Sequence, residues 1–135
     1  ARADVDAARI VILGRSLGSA VAAQLAAERP VRSLILTTPL DSLASIGSRR
    51  FPFLPVGLIA NGHYDTAALA PTIARPALFV IAEDDDVTPP EHGERLASLW
   101  AGQKKVVRIP GAGHRMVEWR REYWDAVNAW LSAQR

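Results

Sequence analysis

A serine flanked by glycines is the first feature of this sequence that could do chemistry. Residues 14–18 read G-R-S-L-G, with Ser16 two residues after Gly14 and two before Gly18. An apolar, β-branched run that predicts a strand precedes the pattern, and an alanine-rich stretch that predicts a helix follows it. A tight strand-to-helix turn exposes a serine oxygen, and the two glycines let the helix approach the strand without a Cβ clash. Ser16 is therefore a candidate nucleophile.

A serine hydroxyl is a weak nucleophile, so the hypothesis also needs a base and a group that orients the base. His114 is the candidate base, and it follows a glycine-rich loop at residues 110–113. Residues 84–86 are all aspartate and follow another predicted strand, so they supply candidate orienting carboxylates. The backbone N–H of Leu17, at the start of the predicted helix, is the expected donor to an oxyanion.

Strand and helix signals alternate along the chain. Four apolar runs predict strands, at residues 10–13, 33–37, 77–82 and 105–109. Apolar residues at helical spacing predict helices over residues 19–28 and 91–100, and a closing helix with a stripe of Tyr123, Val127, Trp130 and Leu131. This alternation predicts an α/β fold with a parallel sheet, whose carboxyl-end loops carry the serine, the aspartates and the histidine.

Residues 39–76 differ from the rest because they are rich in proline and glycine. We interpret them as a small insertion over the sheet edge, with Asp65 as a helix N-cap. Their apolar residues could line a pocket or simply cover the core; they are Phe51, Phe53, Leu54, Val56, Leu58 and Ile59. Arg49 and Arg50 are interpreted as solvated, with contact to an anionic group as the alternative.

The composition excludes several classes of protein and site. The 135 residues fit one domain, and 16 Lys and Arg against 14 Asp and Glu give a formal net charge of +2, without a basic patch that would indicate nucleic acid. The absence of cysteine excludes disulfides, thiolate metal sites and a cysteine nucleophile. No apolar run approaches the roughly 18 residues of a membrane span. The candidate chemistry requires neither a metal nor an organic cofactor.

Several motifs together resemble the α/β-hydrolase superfamily, in its serine aminopeptidase or hydrolase-4 (lysophospholipase-like) branch. They are G-R-S-L-G-S at 14–19, T-P-L-D-S-L at 38–43, R-P-A-L-F-V-I at 75–81, D-D-V-T-P at 85–89, E-H-G at 91–93 and G-A-G-H at 111–114. Serine, then aspartate, then histidine is also the order of the triad in that family. The resemblance implies the α/β-hydrolase fold, a parallel sheet with flanking helices, of which this chain would form the last four of the usual eight strands.

The resemblance also implies roles for individual residues. The acid of this family usually stands four residues before the proline that opens the next helix, which selects Asp85 before Pro89 and leaves Asp84 and Asp86 as loop or capping residues. The implied triad is Ser16, Asp85 and His114. The implied reaction is hydrolysis of a carboxylic ester, thioester or amide in a small-molecule acyl substrate, through an acyl-enzyme.

The first half of the family's fold has no counterpart in this sequence. Residues 1–135 are therefore expected to be the C-terminal half of a single α/β-hydrolase domain, with the insertion at about 39–76. We expect a missing N-terminal half, or another chain, to complete the sheet and to supply the second oxyanion donor. Without it, the first strand would be a bare apolar edge that favours association.

Each candidate residue also has an interpretation without catalysis. Ser16 could be a helix N-cap, and His114 could be a loop histidine at the surface. His63 and His92 are interpreted as residues without a chemical role. Arg15 is interpreted as a surface or salt-bridging residue, with a substrate anchor as the alternative.

Two other functions are compatible with parts of the sequence. A non-catalytic binding or scaffolding domain could retain the same fold, because fold does not fix function. A nucleotide-binding domain could use the glycines at 14–18 as a phosphate loop, but their spacing matches neither the dinucleotide fingerprint nor the lysine-bearing P-loop. The complete set of serine, aspartate and histidine favours the hydrolase over both.

Overall fold

A computed structural model describes residues 4–50, 53 and 64–134, with the backbone alone at residues 49 and 50. Four parallel strands form one sheet in the order β1-β2-β3-β4: β1 Val11–Arg15, β2 Ser33–Thr37, β3 Ala77–Ala82 and β4 Lys104–Ile109. The α-helices are α1 Leu17–Glu28, α2 Leu43–Arg50, α3 Thr66–Leu69, α4 Pro90–Leu99 and α5 Arg121–Ala133. Short 3-10 helices lie at Ala7–Arg9, Ala70–Thr72 and Val117–Trp119. The predicted α/β fold with a parallel sheet is confirmed.

The two central strands are buried on both faces because helices cover both sides of the sheet. Leu34 and Leu36 of β2 belong to the same apolar cluster as the alanines of α1. Ile35 points to the opposite face and belongs to the cluster that contains Tyr123 and Val127 of α5. This period of two is what a strand covered on both faces requires. Because all four strands are parallel, their carboxyl ends lie at the same end of the sheet.

The first strand and helix are more exposed than the two central strands. The β1 strand begins at Val11, one residue later than expected, and Leu13 is 51% exposed. Among the described residues, β1 pairs only with β2, so its other edge is open. The alanines of α1 pack on the sheet, whereas Val21 and Leu25 are exposed at 49% and 42%. Exposed apolar side chains therefore lie on both β1 and α1.

The remaining predicted elements agree closely with the structure. The α4 helix begins at Pro90, one residue before the predicted start, and buries Leu96. The β4 strand begins at Lys104, also one residue early. The α5 helix buries all of its predicted stripe except Leu131, which is partly exposed at the end of the helix. Among the described residues, no helix combines the length and apolarity needed to cross a bilayer.

The segment predicted to be an insertion leaves the sheet after β2, and its two ends meet. Ser42 and Asp65 form an antiparallel bridge there, and Leu43 N–H donates to the carbonyl of Tyr64 at 3.3 Å. The predicted N-cap is confirmed, since the Asp65 side chain accepts a hydrogen bond from Ala68 N–H at 3.1 Å. Phe53 is exposed. The other predicted apolar residues, Phe51, Leu54, Val56, Leu58 and Ile59, lie outside the described residues, as do His63 and the side chains of Arg49 and Arg50.

Candidate active site

Ser16 occupies a strained turn between β1 and α1. Its φ of 50° and ψ of −122° place a non-glycine residue in a sparsely populated region, which is common where a side chain must be presented for function. Ser16 N–H donates to the carbonyl of Thr37 at 2.9 Å, and the Ser16 carbonyl accepts from Ser19 N–H at 2.9 Å. The Ser16 side chain makes no capping hydrogen bond to α1. Ser16 therefore occupies the N-cap position of α1 without capping the helix through its side chain.

The two glycines of the turn have different surroundings. A Cβ at Gly14 would lie 2.4 Å from the carbonyl oxygen of Gly18 and 2.7 Å from the Cβ of Ala22, so only glycine fits where α1 crosses β1. A Cβ at Gly18 would meet nothing within 4 Å among the described residues. The steric reason given for both glycines thus holds at Gly14 and not at Gly18.

Asp85 and His114 form a buried pair on two neighbouring loops. His114 Nδ1 donates to Asp85 Oδ2 at 2.7 Å, and the two residues are 8% and 5% exposed, the histidine being the more exposed. The other oxygen, Asp85 Oδ1, accepts from the backbone N–H groups of Val87 at 2.9 Å and Thr88 at 2.7 Å. The carboxylate is thus held by its own loop through Oδ1, and Oδ2 is directed at the imidazole. This contact fixes which ring nitrogen carries a proton and leaves Nε2 as an acceptor.

The two neighbouring aspartates differ from Asp85 in their surroundings. Asp84 contributes through its backbone, because its N–H donates to the carbonyl of Ala112 at 3.0 Å. Glu83 N–H likewise donates to the carbonyl of Ile109 at 3.2 Å. Asp84 and Asp86 are both exposed. The two backbone bonds extend the pairing of β3 and β4 beyond the strand ends and bring the aspartate loop beside the histidine loop.

The histidine loop is also fixed by side chains. The Arg120 guanidinium donates to the carbonyl of Gly111, a residue with a φ of 64° that favours glycine. The Arg15 guanidinium donates to the carbonyl of His114 at 2.5 Å. Arg15 Nε also lies 2.5 Å from Glu118 Oε1, which confirms the salt-bridging interpretation of Arg15. The loop is therefore tied to both the serine turn and the aspartate loop.

Solved structures with this architecture include an α/β-hydrolase enzyme from a sediment metagenome, with a TM-score of 0.72 at 20% identity, over 95% of this chain and 63% of its own. A monoacylglycerol lipase from Paleococcus ferrophilus aligns with a TM-score of 0.73 at 20% identity, over 94% of this chain and 69% of its own. An acetyl xylan esterase from Paenibacillus sp. R4 aligns with a TM-score of 0.78 at 20% identity, over 98% of this chain and 47% of its own. The chain has the α/β-hydrolase fold.

Curated relatives of this chain are longer proteins. It is 37% identical over 133 residues to the uncharacterized protein Rv2307c of Mycobacterium tuberculosis, covering 97% of this chain and 47% of that protein. It is 31% identical over 131 residues to the α/β-hydrolase domain-containing protein WAV2 of Arabidopsis thaliana, covering 84% of this chain and 42% of that protein. No family model matches the chain. The chain thus spans about half the length of these relatives.

A second aspartate–histidine pair, in which the aspartate is buried, lies at the same end of the sheet. Asp41, only 2% exposed, accepts from His92 Nδ1 at 2.7 Å and from Arg95 at 3.3 Å. The Asp41 carbonyl accepts from Ala67 N–H at 2.7 Å. The pair joins the segment after β2 to the start of α4 and to α3. No periodic pattern indicates this pair, although Asp41 and His92 both lie within the motifs that resemble the family.

Thr38 is a second residue of this region that sequence reasoning missed. It follows β2 next to the serine turn and adopts a φ of 43°, which is rare for a β-branched residue. Its N–H donates to the carbonyl of Val80 at 2.8 Å, so the sheet holds it in this conformation. Two strained residues, Ser16 and Thr38, therefore lie side by side at the carboxyl ends of β1 and β2. Within the described part of the chain, no cluster of three or more histidine and carboxylate side chains could hold a metal ion.

Proposed function

We propose that the whole protein is a serine hydrolase that cleaves a carboxylic ester, thioester or amide through an acyl-enzyme on Ser16. The observation that carries this proposal is the buried hydrogen bond from His114 to Asp85. It lies at the same end of the sheet as the strained turn of Ser16. A histidine oriented by a carboxylate is the group that a serine needs to become a nucleophile. The similarity to solved structures named as a lipase and an esterase favours ester substrates.

In the proposed reaction His114 accepts the hydroxyl proton at Nε2 while the Ser16 oxygen bonds to the acyl carbon. The tetrahedral intermediate collapses when the bond to the leaving alcohol, thiol or amine breaks and His114 returns the proton to that group. Water then attacks the acyl-enzyme and loses a proton to His114. The bond between the Ser16 oxygen and the acyl carbon breaks, His114 returns that proton to the Ser16 oxygen, and the acid product leaves. Asp85 keeps the ring in one tautomer and stabilises the imidazolium formed in each step.

The backbone at the start of α1 supports a site for the oxyanion. Leu17 is the first residue of α1, so its N–H has no acceptor within the helix, and the helix dipole adds partial positive charge there. One such donor is typically worth about a hundredfold to a thousandfold in rate. We assign the second donor to residues that precede this chain in the whole protein, which we propose also cover the open edge of β1.

Labelling of the full-length protein with a fluorophosphonate probe tests the proposal. Wild type should react covalently, and Ser16→Ala should not. Ser98→Ala is the matched control, because Ser98 is exposed on α4 and its hydroxyl donates a hydrogen bond to the Arg95 carbonyl of the same helix. A wild-type protein that is well folded and does not react would overturn the proposal and favour a non-catalytic binding domain.

A further inference from the structure

Arg15 connects the serine turn directly to the histidine loop, although the contact spans 99 residues of sequence. Its guanidinium donates to the backbone carbonyl of His114 at 2.5 Å. Its Nε lies 2.5 Å from the carboxylate of Glu118, in the 3-10 helix that follows the loop. One side chain therefore contacts both the residue that bears the imidazole and the segment that leads away from it.

The position of Arg15 itself is fixed by the sheet. It is the last residue of β1, where it pairs with Thr37 of β2, and it directly precedes Ser16. Any shift of the His114 carbonyl relative to Arg15 is therefore also a shift relative to Ser16. The imidazole is held at its Nδ1 by Asp85 and through its backbone by Arg15, and these two attachments together limit where Nε2 can lie.

We infer that Arg15 is a positioning residue that sets the distance between His114 and Ser16, and that Glu118 holds Arg15 in place. This inference rests on the proposed serine hydrolase function. In this role Arg15 binds the backbone carbonyl of His114 and does not bind the substrate. The guanidinium is already engaged by a carbonyl and a carboxylate of the same chain, and its side chain is 37% exposed.

Kinetics of the full-length protein on a simple acyl ester separate positioning from substrate binding. Arg15→Met should lower kcat by about tenfold to a hundredfold and change KM by less than about twofold, because small displacements of a catalytic group have effects of this size. Arg15→Lys should recover part of the loss, since one ammonium can still donate to the carbonyl. A raised KM with an unchanged kcat would instead identify a substrate anchor and overturn the inference.

The role of Glu118 is tested with the same assay. Glu118→Gln should lower kcat in the same direction by a smaller factor, about threefold to tenfold. The double variant with Arg15→Met should be no slower than Arg15→Met alone, because Glu118 acts through Arg15. Arg121→Met is the matched control: its ion pair with Asp125 is long, at 3.7 Å, and exposed, so kcat should not change. Additive losses in the double variant would contradict this arrangement.

Amide hydrogen exchange distinguishes failure of this inference from failure of the proposed function. Arg15→Met should speed exchange in residues 111–118 and leave β2 and β3 unchanged. If wild type hydrolyses the ester and this exchange does not change, the inference is wrong and the serine hydrolase stands. If wild type neither hydrolyses the ester nor reacts with a fluorophosphonate, the proposed function is wrong. The positioning role of Arg15 in catalysis is then wrong as well, whatever the exchange experiment shows.

Discussion

His114 Nδ1 lies 2.7 Å from Asp85 Oδ2, and both side chains are almost completely buried. The second oxygen of Asp85 accepts two backbone N–H groups of its own loop. The two oxygens of this carboxylate therefore act separately, since Oδ1 shapes the loop and Oδ2 orients the imidazole. This division allows the orienting contact to be altered while the loop is kept.

Replacing Asp85 with asparagine should abolish most activity without unfolding the protein. The amide oxygen can still accept the N–H groups of Val87 and Thr88, while the amide nitrogen faces His114 and favours the wrong tautomer. We expect kcat of the full-length protein on an acyl ester to fall by roughly a thousandfold to ten-thousandfold. Asp84→Asn and Asp86→Asn are the matched controls, because both aspartates are exposed on the same loop. If kcat falls further in either control than in Asp85→Asn, that aspartate and not Asp85 is the acid of the triad.

Alanine substitution should lower turnover at His114 and stability at His92. His114→Ala should lower kcat by about a thousandfold or more. His92→Ala removes the closest donor to the buried Asp41 carboxylate and should lower the free energy of unfolding by about 1–3 kcal/mol, while kcat of the folded protein stays within about threefold. Urea unfolding and ester hydrolysis, measured on both variants, make the comparison. Loss of turnover in fully folded His92→Ala would show that our assignment of that pair to stability is wrong.

Adding a methyl group at Gly14 should disrupt the fold. The Cβ of Gly14→Ala would lie 2.4 Å from the Gly18 backbone, and a backbone atom cannot move aside without displacing α1. We expect a loss of at least about 3 kcal/mol in the free energy of unfolding, measured by urea denaturation. Gly93→Ala is the control, because the three nearest atoms to its Cβ belong to side chains, at 3.1 Å in Ile81 and 3.4 Å in Pro39, and not to the backbone. Equal losses in the two variants would count against a special close approach at Gly14.

The open side of β1 and α1 should make the isolated 135-residue chain associate with itself. Leu13 of β1 and Val21 and Leu25 of α1 are exposed apolar residues, and the outer edge of β1 is unpaired among the described residues. Light scattering after size-exclusion chromatography should show aggregates or oligomers, and Val21→Gln with Leu25→Gln should reduce them. In the full-length protein the same double substitution should destabilise the fold, because we propose that preceding residues cover this surface. A monodisperse, active monomer of the isolated chain would contradict that proposal.

The sequence alone determined the order of the elements and the residues available for chemistry. Strands β2 and β3 have the predicted bounds because an apolar run bounded by turn residues is a local signal, and the Asp65 cap is equally local. Glycine spacing around Ser16 indicated the strand-to-helix turn for the same reason. These features depend on neighbours within a few residues, which the sequence displays directly.

Tertiary structure decided which of these residues meet. Three consecutive aspartates are alike in sequence, and only the register of β3 beside β4 directs Asp85 at His114. The contact of Arg15 with the His114 carbonyl joins residues far apart in the chain, so no local pattern could reveal it. Exposure of Val21 and Leu25 likewise depends on what lies beside β1. Side-chain partners across a sheet follow from strand order and register, which are set by packing of the whole fold.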